Sequence, residues 1–261
     1  MPVDYSVSDG VGVIVLNRPD VLNAFDDELG FGMLDVVEKA ATDEAVRCIV
    51  ITGAGRAFCA GEDLGALAST YEGGEAPPLG KTLTDRYNPL IRALRSAPKP
   101  VVAAVNGVAA GAGASLAFAC DYRIVSEKAK FVIAFIKVGL VPDSGAVWFL
   151  ARAIGEARAL DLAASGRPIG AQEAVDLGLA QEVVAPDGFE ARWKELASEL
   201  ASGPTTALAL TKALVYGVSE RSLDEQLDVE VDAQSTAGRT ADHLEGVQAF
   251  LGKRAPKFEG R

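Results

Sequence analysis

The segment GLVPDSG, residues 139–145, places the carboxylate of Asp143 just before an apolar helical pattern that begins near Ala146. Such an acid can cap the helix that follows, because Asp and Ser are common at helix N-termini. It can also act as an acid or base at the mouth of a pocket, since the neighbouring Leu140 and Val141 would desolvate the carboxyl group and raise its pKa. The segment alone leaves both interpretations open.

Two glycine-rich segments could stabilise negative charge. GAGRAFCAGEDL (53–64) and NGVAAGAGASLAFACD (106–121) each lead from a predicted strand through glycines into a predicted helix. Backbone N–H groups at a helix start can bind a phosphate or a developing oxyanion. Neither segment has the G-x-G-x-x-G or Walker A spacing, so a nucleotide site is disfavoured. Each segment alone is more often explained by tight strand-to-helix packing.

Composition narrows the class of protein. The chain has 261 residues, of which 49% are hydrophobic, and a formal net charge of −11 without a long Lys/Arg cluster. An acidic surface argues against a nucleic-acid partner. No metal site or disulfide framework is expected, because the three cysteines have no CxxC spacing and are predicted to be reduced core residues. They are Cys48, Cys59 and Cys120.

Targeting and membrane signals are not evident in the sequence. The N-terminal stretch is neither a secretory signal nor a transit peptide, and no segment approaches the roughly 20 apolar residues of a membrane-spanning helix. We therefore expect a cytoplasmic protein with no membrane partner.

The elements that must position these groups alternate between strands and helices, which indicates α/β layering. From Gln172 onward the pattern becomes largely helical, and the Gly/Pro-rich stretch 70–82 predicts a mobile surface loop. The apolar pattern near Trp148 and Phe149 predicts core residues. A helix is predicted over 26–41, and strands over 11–17, 47–55, 101–113 and, as a pair, 122–133.

The order of several motifs resembles the crotonase, or enoyl-CoA hydratase/isomerase, superfamily over nearly the whole chain. Within it, RYNPLIRAL and the acid after GLVP look most like the ring-epoxide isomerases of bacterial phenylacetate catabolism. The motifs that carry the family resemblance are LNRPDVLNAF, ITGAGRAFCAGEDL, KPVVAAVNGVAAGAGASLAFACDYRI and FIKVGLVPDSG.

The resemblance implies an α/β fold, a spiral of repeated ββα units over residues 1–196 that holds the acyl-CoA site. A helical C-terminal region over 197–261 would pack the chain into homotrimers, commonly paired into hexamers. The implied substrates are acyl-CoA thioesters. Coenzyme A is then part of the substrate, and no separate cofactor is expected.

The resemblance also assigns roles to backbone atoms. The N–H groups of Glu62 and Ala112 would bind the thioester oxygen, on which enolate charge builds when a neighbouring proton is removed. A preorganised pair of such donors can contribute several kcal/mol in a dry site. The Glu62 side chain is expected to face solvent or to form a salt bridge, and Asp63 to cap a helix.

The reaction depends on which carboxylates are present. Hydratases of the family hold water with two glutamates, and the matching positions here are Ser115 and Phe135, neither of which accepts a proton. Asp143 matches the acid/base of several isomerases, which predicts an isomerase acting on a ring epoxide or a 3-enoyl-CoA. An atypical hydratase and a non-catalytic acyl-CoA-binding subunit remain as alternatives. A dehalogenase is disfavoured because His243, the one histidine, lies far along the chain.

Binding of the coenzyme A handle requires local cations in an acidic protein. By resemblance, Arg18 and Ala60 line the coenzyme A cleft, while Phe250 and Lys253 complete it from a neighbouring subunit. The loop 70–81 and the segment RYNPL are expected to shape the acyl pocket.

Overall fold

The computed structural model describes residues 2–72 and 77–261. The strands are β1 Val3–Ser8, β2 Val11–Leu16, β3 Cys48–Gly53, β4 Ala57–Cys59, β5 Val101–Val105, β6 Val108–Ala110, β7 Tyr122–Ser126, β8 Lys130–Val132, β9 Pro168–Gly170 and β10 Glu182–Val184. The helices are α1 Asp27–Thr42, α2 Ala68–Glu72, α3 Leu79–Thr82, α4 Asn88–Ser96, α5 Ala112–Ala119, α6 Ala146–Ile154, α7 Glu156–Ser165, α8 Ala171–Asp176, α9 Phe189–Ser202, α10 Thr205–Gly217, α11 Leu223–Ala237 and α12 Ala241–Leu251.

The chain alternates between two sheets. One sheet has the order β1-β2-β3-β5-β7-β10 and the other the order β4-β6-β8-β9. Successive turns of the chain place β3 then β4, β5 then β6, and β7 then β8 in these sheets, and a helical segment follows each pair. Pairing between the turns is parallel, whereas the β1-β2 and β8-β9 pairs are antiparallel. This is the predicted spiral of ββα units, which is therefore confirmed.

The predicted strand over 101–113 is wrong in one respect, because β5 and β6 belong to different sheets and α5 already begins at Ala112. The chain crosses between the sheets at Asn106 and Gly107. The Asn106 amide donates hydrogen bonds to backbone carbonyls, among them that of Gly53 at 2.9 Å. A Cβ at Gly107 would lie 2.1 Å from the carbonyl oxygen of Arg56. The continuous apolar run of the sequence concealed this crossing, since both strands are buried or nearly so.

Helix α9 covers one face of the larger sheet. Its buried residues Phe189, Trp193 and Ala197 form a core cluster with residues of the larger sheet such as Val50 and Val102. The predicted boundary between residues 196 and 197 falls inside this helix, so α9 as a whole packs with the spiral. Helices α10, α11 and α12 follow α9 in the chain.

The other core cluster lies between the larger sheet, the smaller sheet and helices α1, α4 and α5. The three cysteines are unpaired and buried, as predicted. Burial is the main cause that raises the pKa of each thiol to about 12, so these groups stay protonated and pack as small apolar side chains.

Several further expectations concern the exposed parts of the chain. The helical C-terminal region is confirmed, although β10 interrupts the helices after Gln172. Residues 73–76 of the predicted loop 70–82 lie outside the described residues. At both ends of this stretch the loop prediction is wrong, because residues 70–72 belong to α2 and residues 79–82 to α3. Trp148 is 43% exposed and so is not the core residue that the apolar pattern predicts. Within the described ranges, no helix combines the length and apolar character needed to cross a bilayer.

Gly113→Ala and Gly32→Ala test the close approach of α5 to β4. Both glycines are helical, and alanine in a helix interior normally stabilises by about 0.5–1 kcal/mol. A Cβ at Gly113 would lie 2.2 Å from the carbonyl oxygen of Cys59, whereas at Gly32 it would make an ordinary 3.4 Å contact with Val3. We expect Gly113→Ala to lower the free energy of unfolding by about 1–3 kcal/mol and Gly32→Ala to leave it unchanged or higher, measured by urea denaturation. Equal effects of the two substitutions would contradict the close approach.

Candidate active site

The two glycine-rich segments meet because β4 and β6 are neighbours in the smaller sheet. At their ends, the backbones come into direct contact. A Cβ at Gly61 would lie 2.8 Å from the carbonyl oxygen of Ala110 and 3.5 Å from the amide nitrogen of Ala112. Only glycine permits this approach, and the φ of Gly61, +95°, is also one that other residues rarely adopt.

The predicted oxyanion donors lie on these two segments. Phe25 donates its N–H to the Gly61 carbonyl at 2.7 Å and accepts from the Asp63 N–H at 2.8 Å, so the N–H of Glu62 between them points to the other side. Ala112 is the first residue of α5, where an N–H has no intrahelical acceptor. Across residues 2–72 and 77–261, neither N–H donates to a protein acceptor. Both donors are therefore available to a ligand.

Asp143 lies in an irregular segment just before α6. Ser144 and Gly145 both have left-handed backbones, with φ of 51° and 78°. The Asp143 carbonyl accepts from the Ala146 N–H at 2.9 Å and from the Ser115 hydroxyl at 3.1 Å. The N-cap residue of α6 is Gly145, and no side chain caps this helix. The interpretation of Asp143 as a helix cap is therefore wrong, and the Ser144 side chain does not cap the helix either.

The environment of the Asp143 carboxylate suits a proton acceptor. Burial raises its pKa above the ordinary value of 3.8, the hydrogen bond from the Ser144 hydroxyl at 2.8 Å opposes this rise, and the negative charge of Glu62 adds to it. The contribution from Glu62 places Asp143 within electrostatic range of the segment that carries one oxyanion donor. A carboxylate of raised pKa holds a proton more readily and returns it more slowly to water.

The positions that carry glutamates in hydratases are closed to water here. Phe135 is 8% exposed, and its Cζ lies 3.9 Å from where a Cβ of Gly111 would stand. Ser115 is fully buried, and its hydroxyl donates to the carbonyls of Gly111 and Asp143. An aromatic ring therefore lies beside Gly111, and the Ser115 hydroxyl is already committed to the backbone.

The side chain of Glu62 forms a salt bridge, one of the two placements that the sequence left open. Its Oε2 lies 2.5 Å from an Nη of Arg86 and accepts a hydrogen bond from the Tyr87 hydroxyl. Arg86 is 2% exposed and packs over Gly30, where a Cβ would meet its Cδ at 2.3 Å. Burial first, and then the Glu62 charge, raise the pKa of Tyr87, so its hydroxyl remains a donor.

Arg86 and Tyr87 were not assigned these roles from the sequence. The segment RYNPL is expected only to shape the acyl pocket, and a buried arginine gives no periodic signal. The turn that contains both residues is π-helical, over Leu83–Tyr87. Such turns occur often at functional sites, but they are not recognisable in a single sequence.

The residues predicted to bind coenzyme A are dispersed. Arg18 lies near the Glu62 segment, but its Nη2 is 3.0 Å from carboxylate oxygens of both Asp26 and Asp63, so its charge is largely compensated. Ala60 donates its N–H to the Leu22 carbonyl at 3.0 Å. The Asp63 carboxylate also accepts from the Ala66 N–H at 3.2 Å, in the manner of a cap.

Phe250 and Lys253 lie at the end of α12, where Phe250 is 83% exposed and Lys253 is also exposed. Their contribution from a neighbouring subunit stays a prediction. Among the described residues, no group of three or more His, Cys, Asp and Glu side chains is arranged to hold a metal ion.

Glu62→Gln and Asp27→Asn compare a buried and an exposed partner of the same arginine. Arg86 reaches Asp27 at 2.9 Å, but the Asp27 side chain is 84% exposed and that of Glu62 only 25%. Removing the Glu62 charge leaves a buried guanidinium poorly compensated, and we expect a loss of about 2 kcal/mol in the free energy of unfolding. Asp27→Asn should cost no more than about 1 kcal/mol. Chemical denaturation of both variants checks this, and a larger loss for Asp27→Asn would refute it.

Asp143→Asn should stabilise the folded protein at neutral pH. Because the folded-state pKa of Asp143 is raised, the folded protein holds this proton more tightly than the unfolded chain does. As pH rises from 3.8 through the raised pKa of Asp143, its carboxyl group must ionise in a desolvated position, and the free energy of unfolding decreases. The side-chain amide of the variant does not ionise and avoids this loss. Thermal unfolding of both proteins at several pH values should show the variant more stable at pH 7 and the difference shrinking toward low pH. A variant that is less stable at pH 7 would contradict the desolvated carboxylate.

Comparisons with known proteins identify the family of this chain. The family model described as enoyl-CoA hydratase/isomerase matches residues 6–261. The chain is 46% identical to 1,2-epoxyphenylacetyl-CoA isomerase of Escherichia coli strain K12, covering 98% of this chain and 97% of the relative. It is 43% identical to a Rhodobacter capsulatus protein named as a probable enoyl-CoA hydratase, covering 99% and 98%. The crystal structure of an enoyl-CoA hydratase from Bacillus anthracis superposes with a TM-score of 0.93 at 32% identity, covering all of both chains. The chain therefore belongs to the enoyl-CoA hydratase/isomerase, or crotonase, family.

Proposed function

We propose that the protein is an acyl-CoA isomerase in which Asp143 moves a proton while the N–H groups of Glu62 and Ala112 hold the thioester oxygen. The observation that carries this proposal is a single desolvated carboxylate near two backbone donors that have no protein acceptor. Such donors stabilise charge that develops in the transition state, and they do not need to reorganise during the reaction.

For a 3-enoyl thioester, the proposed reaction needs one base and no added water. The Asp143 carboxylate removes a proton from C2, and the electron pair of that C–H bond forms a dienolate whose charge lies on the thioester oxygen. The N–H groups of Glu62 and Ala112 donate to this oxygen. Asp143 then returns the proton to C4, and the double bond moves from C3 to C2. The raised pKa of Asp143 makes it both an adequate base and an adequate acid for the two steps.

A ring epoxide of phenylacetyl-CoA is the other proposed substrate. The name and 46% identity of the Escherichia coli relative support it. The apolar ring of Phe135, beside Gly111, would suit a cyclic apolar acyl group and would keep water from a reactive epoxide. The same oxyanion donors would hold the thioester of this substrate.

An atypical hydratase is the second candidate, favoured by the name of the Rhodobacter capsulatus relative. Ser115 and Phe135 speak against it, because neither can activate water and the Ser115 hydroxyl is committed to two carbonyls. A non-catalytic acyl-CoA-binding subunit is the third, and the retained donors and the raised pKa of Asp143 speak against it.

A trimer or hexamer of this chain is part of the proposal. The helices after α9 leave large apolar side chains exposed in the single chain, and such patches mark interaction surfaces. Phe250 and Lys253 would then approach the coenzyme A of a neighbouring subunit. The exposed apolar residues of these helices and the turn after α10 are Val215, Val218, Leu223, Leu227, Val231, Leu244, Val247, Phe250 and Leu251.

Three substrates separate the candidate functions. We would incubate the protein with a 3-enoyl-CoA, a 2-enoyl-CoA and the epoxide of phenylacetyl-CoA, and follow the products by mass spectrometry and absorbance. Isomerisation of the first or third substrate, faster than hydration of the second, is expected. Faster hydration would overturn the isomerase, and tight binding without turnover would favour the non-catalytic subunit.

Asp143→Asn should reduce isomerisation by about 100-fold or more, because general acid–base catalysis contributes about 10²–10⁴-fold. Affinity for the acyl-CoA should change only a few-fold, since the amide keeps the size of the side chain. The exposed Asp161→Asn serves as the control and should leave kcat unchanged. If kcat of Asp143→Asn stays within a few-fold of the original, the base is another residue, and Glu62 is the next to test.

A further inference from the structure

We propose that a second cavity, separate from the oxyanion donors, binds a small organic carboxylate with an apolar body. The cavity has a volume of about 260 Å³ and lies between α4, α5, α6 and α10. We call it the arginine cavity and define it by Arg95, Arg123, Arg152, Phe118, Trp148 and Tyr216, which all line it.

The arginine cavity is lined by residues that lie further along the two helices whose starts carry the candidate active site. Ala112 begins α5, and Phe118 lies six residues later, about 9 Å along the helix at 1.5 Å per residue. Asp143 precedes α6, whereas Trp148 and Arg152 lie within it. A ligand in the arginine cavity would therefore not overlap with a thioester bound at the proposed oxyanion donors.

Two of the arginines are held by aromatic rings and not by acids. The Cζ of Arg95 lies 3.1 Å from the ring centroid of Tyr216, and that of Arg152 lies 4.3 Å from the Trp148 ring. In the described part of the chain, neither guanidinium forms a salt bridge. Aromatic faces orient a guanidinium but leave its net charge and its N–H donors for another partner.

The third arginine is satisfied by backbone alone. Arg123 donates to the carbonyl of Leu179 and to that of Cys120, each at 2.5 Å. These carbonyls accept its hydrogen bonds but do not cancel its charge. Burial lowers the pKa of Arg95 and of Arg123, as expected for cations whose surroundings provide too little negative charge.

Among the described residues that line the cavity, Asp121 is the one with a carboxylate, and this carboxylate is already engaged. Asp121 accepts from the Val101 N–H at 2.7 Å and from the Tyr216 hydroxyl, and it lies 3.0 Å from the Nζ of Lys212. Lys212 therefore compensates Asp121. The three arginines remain as a local excess of positive charge in a protein whose net charge is −11.

Besides its positive charge, the arginine cavity has an apolar wall. Phe118 and Leu179 are buried beside the arginines, and Val215 and Phe149 complete the apolar wall. A guanidinium matches the planar carboxylate in geometry, and aromatic walls match a flat apolar group. The cavity volume fits an aromatic or short-chain acid better than a nucleotide.

Calorimetry with three simple probes tests the ligand class in the intact protein. We would titrate benzoate, benzyl alcohol and inorganic phosphate. Benzoate is expected to bind at least ten-fold more tightly than either other probe, because only benzoate has both the charge and the apolar body. Equal binding of benzyl alcohol would overturn the role of the arginines, and equal binding of phosphate would overturn the role of the apolar wall.

Substitutions locate the bound probe. Arg95→Gln and Arg152→Gln should each weaken benzoate binding about ten-fold or more, whereas Arg92→Gln, an exposed residue on the same helix as Arg95, should leave it unchanged. Thermal unfolding of each variant confirms that it is folded. Benzoate affinity that is the same in all variants would place the probe elsewhere and overturn the proposal. Undetectable binding of benzoate would also overturn the proposal, and this result is expected if a carboxylate from another copy of the chain fills the cavity.

Discussion

The candidate active site depends on one constraint, the close approach of two backbones at positions where no side chain can stand. Gly61 meets the carbonyl of Ala110, and Gly113 meets the carbonyl of Cys59, each at a distance that excludes a Cβ. Because β4 and β6 are parallel neighbours, both close approaches lie where these two strands end. The arrangement of the donors is therefore a property of strand pairing, and the side chains around them are free to set the chemistry.

Electrostatics then distinguish the two acids of the site. Glu62 is held by the buried guanidinium of Arg86 and by the Tyr87 hydroxyl, so its charge is fixed in place. Among the described residues, the Asp143 carboxylate has only the Ser144 hydroxyl for a hydrogen-bond partner, and burial raises its pKa. Two carboxylates near each other thus have different roles, because one is neutralised by a cation and the other is not. This division agrees with chemistry in which one group moves a proton.

The alternation of strands and helices was predictable, because buried strands and glycine-rich turns leave clear signals in a sequence, whereas the spiral itself was implied only by the resemblance to a family. The crossing at Asn106 was not, since the apolar residues on both sides read as one strand. Asp143 could be selected as the acid because motif matching showed Ser115 and Phe135 at the alternative positions. The salt bridge of Arg86 and the arginine cavity could not be predicted from the sequence. Both join residues from distant parts of the chain, and both depend on which charges remain unpaired after folding. The exposure of Trp148 could not be predicted for a similar reason. The sequence around it has an apolar helical pattern, but in the fold its ring packs against the guanidinium of Arg152.

The spiral also has a consequence for how the protein matures. The two proposed oxyanion donors come from different turns, and Asp143 follows the third, so each atom of the proposed site belongs to a separate stretch of the growing chain. A nascent or partly unfolded chain that has assembled a single turn would hold neither the paired donors nor the desolvated acid. The proposed activity would then arise only after the turns have stacked on one another.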